Sequence, residues 1–163
     1  MNQREIVLGQ LKAMGFEPLE FGDLGSVFKY EDVSYLYMPD DDDEQFLRIV
    51  IPQLYEVTEE NRVAVLDAMH ETSLMLKYAK LCIMYEDAVW AIYEHRLNSS
   101  DNLSDLLEHI IRVLEAAVHV FRKKINGEEV IGRFEKTDDC SDDELEVELQ
   151  KMLDSIEDNG ECN

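Results

Sequence analysis

Apolar residues in this chain recur at two spacings, and the switches between them divide it into helices and strands. Val7, Leu11 and Met14 fall at helical spacing behind Asn2. Asn2 and Glu5 stand like the partners of a capping box, and Gly15 suits a left-handed stop. From Phe16 the pattern shortens. Segments 16–21, 26–30, 33–38 and 45–51 are brief and rich in aromatic or β-branched residues, which predicts strands. Glu31-Asp32 lies where a hairpin turn is needed, although the pair is not the favoured Asn-Gly or Asp-Gly type. Pro39 with the run Asp40, Asp41, Asp42, Asp43 and Glu44 makes a polar loop, and Pro52 is expected to end the last of these strands or to mark an edge.

A second helix is predicted behind Thr58 as N-cap. Glu59 and Glu60 stand where the helix dipole favours negative charge, and Val63, Leu66, Met69, His70 and Ser73 continue at helical spacing. Segments 77–85 and 88–97 read as a long antiparallel hairpin turning at Glu86-Asp87. The turns Tyr30-Glu31-Asp32-Val33 and Tyr85-Glu86-Asp87-Ala88 look alike, too short an echo to indicate a duplication. The third helix has the clearest pattern. Asp101 or Ser100 is its expected cap, and Leu103, Leu106, Leu107, Ile110, Leu114, Ala117, Val118 and Phe121 form one wide apolar stripe. Arg122, Lys123 and Lys124 fall in its last turn, where cations complement the dipole. The expected class is therefore α+β: two layers, with an antiparallel sheet of about five strands and helices on one face.

Composition changes after residue 125. Residues 1–125 hold 23 acidic and 12 basic residues, and residues 126–163 hold 14 and 3, so the shorter segment carries half of the net charge of −22. The reading is a domain over 1–125 and an acidic tail over 126–163. Within that tail Ser141 and Glu144 suit a capping box, and Leu145, Leu149, Met152 and Ile156 make a narrow stripe, predicting a short helix over 142–157.

The charge disfavours nucleic acid and anionic lipid as direct partners and favours basic partners or cations. No apolar run approaches the roughly 20 residues of a membrane span, and the first residues lack a signal-peptide pattern, so a cytoplasmic location is expected. Candidate chemistry is sparse. Cys82, Cys140 and Cys162 are odd in number and widely spaced, and Cys82 lies in an apolar run, as a reduced core thiol would. His70, His95, His109 and His119 form no pair at ligand spacing. The acidic run at 40–44 lacks the alternating ligands and glycine of a calcium loop. Serine-nucleophile, phosphate-loop and dinucleotide patterns are missing. The expectation is a protein that is not an enzyme and has no catalytic residue, cofactor or metal.

The aromatic strands are more informative. Tyr35 and Tyr37 alternate with Leu36 and Met38, and both faces of the last hairpin, around Tyr78 and Trp90, read as apolar. A sheet with helices on one face should be polar on the other. Something is expected to cover that second face: the tail helix, a second copy of the chain, or a bound peptide. Tyr35, Tyr37, Tyr78 and Trp90 are the candidate partner or dimer face.

The order helix, strands, helix, two strands, helix resembles the type III secretion chaperone-like fold, shared by secretion chaperones and YbjN-type domains. The likeness is strongest over residues 56–125. There Asn61 begins a helix, Ala79-Lys80-Leu81-Cys82-Ile83 and residues 89–93 resemble the family's last two strands, and Asn98-Ser99-Ser100-Asp101-Asn102-Leu103 leads into a long apolar helix. The resemblance covers about the first 125 residues and implies a small dimer-forming domain that holds protein segments, though a shared fold does not transfer that role. Three readings follow: a homodimeric interaction domain binding a protein segment, a secretion-type chaperone for one client, and an enzyme with an unfamiliar site.

Overall fold

A computed structural model describes residues 2–128; the helix expected over 142–157 lies outside them. The element order is α1 (Gln3–Ala13), β1 (Leu19–Phe21), β2 (Gly25–Tyr30), β3 (Val33–Tyr37), β4 (Phe46–Glu56), α2 (Arg62–Met75), β5 (Ala79–Met84), β6 (Ala88–Arg96) and α3 (Leu103–Ile125). The strands form one open sheet in the order β1-β2-β3-β4-β6-β5, and every neighbouring pair is antiparallel. The sheet has six strands where about five were expected. The rest of the α+β reading holds.

Local chemistry accounts for most boundaries. The Asn2 side chain accepts from the Glu5 backbone N–H at 2.8 Å and the Glu5 carboxylate accepts from the Asn2 N–H, closing the expected capping box. α3 is capped by Asn102, whose side chain accepts from the Asp105 N–H; Asp101 is used otherwise, as described below. α2 begins at Arg62, later than a Thr58 cap would place it. Thr58 and Asn61 bond reciprocally instead, each side-chain oxygen accepting from the other's N–H, so residues 58–61 make a separate turn.

β4 corrects the reading of Pro52. The strand runs on to Glu56 and lies between β3 and β6, in the sheet interior. Its pairing with β6 shifts register between Ile51 and Tyr55, and Gln53 has φ 52°. A bulge supplies the place in an interior strand where a proline without an N–H is tolerated. The two similar turns also differ. Tyr30 pairs with Val33 across the two-residue turn Glu31-Asp32, both at positive φ, whereas Met84 pairs with Ala88 across three residues.

The helices pack on one sheet face. Val7 and Leu11 of α1, Val65, Ala68 and Met69 of α2, and the α3 stripe from Leu107 to Phe121 share a core with Phe28, Tyr35, Tyr37, Leu47, Ile49, Val89, Ala91 and Tyr93 from the sheet. α3 lies centrally, touching α1, α2, β4, β5 and β6.

Candidate interaction faces

The four aromatic residues singled out in the sequence are not brought together. Tyr35 and Tyr37 point into the helix-covered core, and the Tyr35 ring stacks on Phe28 at 5.3 Å. Their hydroxyls are buried without a hydrogen-bond partner. Burial pushes the Tyr37 phenol up to about 12, and burial, reinforced by Glu115, pushes Tyr35 further. Trp90 lies on the opposite sheet face, and Tyr78, 69% exposed, precedes β5 with its ring edge-on to His109 of α3.

That opposite face is apolar in its own right. Strand alternation sends Leu36, Val50, Ala88, Trp90 and Ile92 away from the helices, and with Met38 they form a second buried cluster joined by Leu24, Val27, Cys82 and Met84. The cross-strand partners Val27–Leu36–Val50–Ile92 draw one apolar line across β2, β3, β4 and β6. Among the described residues, every buried apolar helical side chain belongs to the first core and none to this cluster. Trp90 is only 4% exposed, and its indole N–H is buried without an acceptor.

The charges on this face reverse the sign of the chain. Register places Lys29, Arg48, Lys80 and Arg96 on the same side as the apolar line, against the carboxylates Glu56 and Glu94. Glu94 is shared: Arg48 Nε donates to Oε1 at 3.0 Å and Lys80 Nζ to Oε2 at 2.7 Å. Partial burial draws its pKa upward, but the bonds from Lys80 and Arg48 outweigh that and hold it below the usual carboxylate value. Arg48 also lies over the Phe46 ring, 4.8 Å from its centroid. On a molecule of net charge −22, this buried apolar cluster is thus framed by cations.

A shallow cleft of about 430 Å³ opens between the start of α1 and the loop after β6, where Gln3, Gln45, Asn98 and Asp101 meet Ile6 and Leu97. The Asp101 carboxylate accepts from the Asn98 N–H at 2.7 Å and meets His95 Nε2 at 3.1 Å. The backbone bond first, then His95, lowers its pKa. These bonds fasten the β6–α3 loop. In the acidic loop, Asp40 and Asp43 accept from the N–H groups of Asp42 and Gln45, a turn-stabilising arrangement. No group of three or more His, Cys, Asp or Glu suited to a metal occurs among the described residues. Cys82 is a free, half-buried thiol. No helix among the described residues is long and apolar enough to cross a membrane.

One surface escaped the sequence reading. α2 buries Val65, Ala68, Met69 and Thr72. Val63 and Leu66, read as part of its apolar spacing, point outward instead, 72% and 46% exposed, and Leu74 is 74% exposed. The signal was present, since apolar residues occur on both sides of the helix, but periodicity alone does not say which side meets the sheet.

The class defined by this geometry is an open antiparallel sheet layered on one side by three helices, with a second apolar cluster on its other side. No protein-family model and no curated protein matches the sequence. Solved structures do match in shape. YbjN from E. coli, described as a candidate transcription regulator, is similar with a TM-score of 0.57 at 9% identity, over 76% of this chain and 92% of that one. An uncharacterized protein from Methanothermobacter thermautotrophicus is similar with a TM-score of 0.52 at 12% identity, over 78% and 99%. The fold is YbjN-like.

Proposed function

We propose that this chain is a non-enzymatic protein-interaction module that self-associates and holds an acidic, amphipathic protein segment across the second face of its sheet. The observation that carries this reading is the second apolar cluster, framed by Lys29, Arg48, Lys80 and Arg96, on the face away from the described helices. Such a face requires a layer over it, because an antiparallel sheet turned to water is polar on that side. Apolar side chains of the segment meet Leu36, Val50, Trp90 and Ile92. Its carboxylates meet the flanking cations, and a carboxylate or backbone carbonyl accepts from the Trp90 indole N–H. The net charge of −22 supports protein over nucleic acid or an anionic membrane as the partner.

Trp90 is the only tryptophan in the chain and reports directly on this face. Its fluorescence is followed while an acidic amphipathic helical peptide, or a charge-reversed version of it, is added to the full chain and to a chain ending at residue 137. The acidic peptide is expected to shift the emission saturably, and Ile92→Asp to abolish the shift. Equal response to both peptides, or none in either chain, rejects the reading.

A further inference from the structure

The cleft between the start of α1 and the loop after β6 has a polar wall whose donors and acceptors are unevenly used. Three side-chain amides in it are oriented by partners that can act in only one sense. The Phe46 carbonyl accepts from Gln3 Nε2 at 3.1 Å, and the Arg96 carbonyl accepts from Asn98 Nδ2 at 3.3 Å. The amide oxygens of Gln3 and Asn98 are therefore left over. Gln45 is turned the other way. Its Oε1 accepts from Arg96 Nε and Nη2 at 3.0 and 2.8 Å, which leaves its NH2 group and spends the guanidinium. Asp101 makes both of its side-chain bonds, to the Asn98 N–H and to His95, through Oδ2. Among the described residues no donor reaches Gln3 Oε1, Asn98 Oδ1 or Asp101 Oδ1, and no lysine or arginine pairs with Glu44 or Asp101. The wall is rich in unused acceptors and poor in unused donors.

We propose that this cleft binds a small organic cation, an ammonium or guanidinium group on a short apolar stem. The head group donates to Asp101 Oδ1, Gln3 Oε1 and Asn98 Oδ1, with Glu44 as a second counter-charge, and the stem lies along Ile6 and Leu97. Ile6 is 45% exposed, an apolar surface that such a stem would cover. The volume of about 430 Å³ falls within the range of small-molecule sites. α1 and α3 both begin at this cleft, and their dipoles taken alone favour an anion. That preference is met within the chain: Asn2 and Glu5 close the first turn of α1, and Asn102 caps α3 with Asp105 in its first turn. Two carboxylates without a lysine or arginine partner, on a chain of net charge −22, then decide for a cation. The wall is also held in advance. The Asp101 N–H donates to the Asn98 carbonyl at 3.0 Å while the Asp101 carboxylate accepts the Asn98 N–H at 2.7 Å, and the Leu97 N–H donates to the Gln45 carbonyl at 2.8 Å. Little ordering remains for a ligand to impose. The cleft shares no apolar side chain with the second sheet cluster, so the inference stands apart from the segment-binding reading.

Three probes that share one branched stem separate charge from apolar burial: isoamylamine, isoamyl alcohol and isovalerate. Each is titrated into the full, nitrogen-labelled chain while its amide signals are followed by NMR. The amine is expected to move the side-chain amide signals of Gln3, Gln45 and Asn98 saturably, the alcohol weakly, and the carboxylate not at all. Glu44→Gln removes a charge and breaks no ion pair among the described residues, and is expected to raise the amine's dissociation constant about two- to fivefold, as for an exposed ion pair. Asp101→Asn keeps an oxygen for the Asn98 N–H and is expected to raise it at least about tenfold, the loss of a charge-assisted hydrogen bond. Isovalerate binding as well as the amine, shifts that rise linearly with concentration, or one constant shared by the parent, Glu44→Gln and Asp101→Asn chains overturns the site. A blocked glycine-lysine-glycine peptide that binds more tightly than the free amine makes the ligand a protein side chain and overturns the assignment to a small molecule. The Trp90 fluorescence test reads the other face, so either reading can fail while the other holds.

Discussion

Gly25 opens β2 at φ 145°, and a Cβ built there would lie 1.9 Å from the Tyr37 carbonyl oxygen and 3.1 Å from Pro39 Cδ. The backbone of β3 leaves no space at this position, and the torsion is one that L side chains rarely adopt. Gly25→Ala is expected to destabilise the fold by roughly 2–4 kcal/mol, the range for a clash combined with backbone strain, measured as a lower urea midpoint at unchanged slope. The Glu31-Asp32 turn is the opposite case. Both residues have positive φ, 45° and 65°, in a two-residue hairpin that favours Asn-Gly. Replacing the pair by Asn-Gly is expected to raise stability by about 0.5–1 kcal/mol, since glycine relieves the torsional cost; an unchanged midpoint would show that the turn carries no strain. The Asn2–Glu5 cap was legible in the sequence because both halves of a capping box lie within four residues. The Thr58 cap was misplaced because a second cap-competent residue, Asn61, stands three positions on and captures it.

Among elements, strands were easier to place than to delimit. Short runs of aromatic, β-branched and other apolar residues between polar turns located β2, β3, β5 and β6 to within a few residues. β4 was expected to stop at Pro52 or to lie at an edge there, since a lost N–H ordinarily ends a ladder, and the bulge that lets it continue has no local signature. The helices differ for a related reason. α3 has one apolar side and declared its buried face, whereas α2 has two. Pairing across strands also created the Arg48–Glu94–Lys80 cluster, from residues 14 and 46 positions apart. Its pH dependence follows from the direction of the Glu94 shift. The folded pKa lies below the ordinary 4.5, so the stabilisation is fully present above the unfolded value and is lost as pH falls through the folded one. Glu94→Gln is expected to cost about 1 kcal/mol at pH 7, a modest value because the partners are partly exposed. That deficit should shrink toward zero as denaturation is measured at successively lower pH below about 4.5. A deficit constant with pH would mean that packing rather than charge is lost.

For the whole molecule, net charge is a property of the sequence, but its placement is not. The value of −22 says that the chain repels itself and phosphate. That Lys29, Arg48, Lys80 and Arg96 share one sheet face emerges only from the order β2-β3-β4-β6-β5 and its registers, because these residues lie far apart along the chain. The two consequences respond to salt in opposite directions. Self-repulsion destabilises the folded state, so adding NaCl from about 0.01 to 0.15 M, which shortens the Debye length from roughly 30 to 8 Å, should raise the midpoint of thermal unfolding by a few degrees, with roughly 1 kcal/mol equivalent to about 2–8 °C for domains of this size range. Attraction between the cationic face and an acidic segment is screened by the same ions, so the peptide dissociation constant should rise over the same range. Stability improving while acidic-peptide affinity falls is the pattern that a cation-framed site on an acidic molecule requires. If binding strengthens with salt instead, the contact is carried by apolar burial alone, and Lys29→Ala and Arg96→Ala should then leave it unchanged.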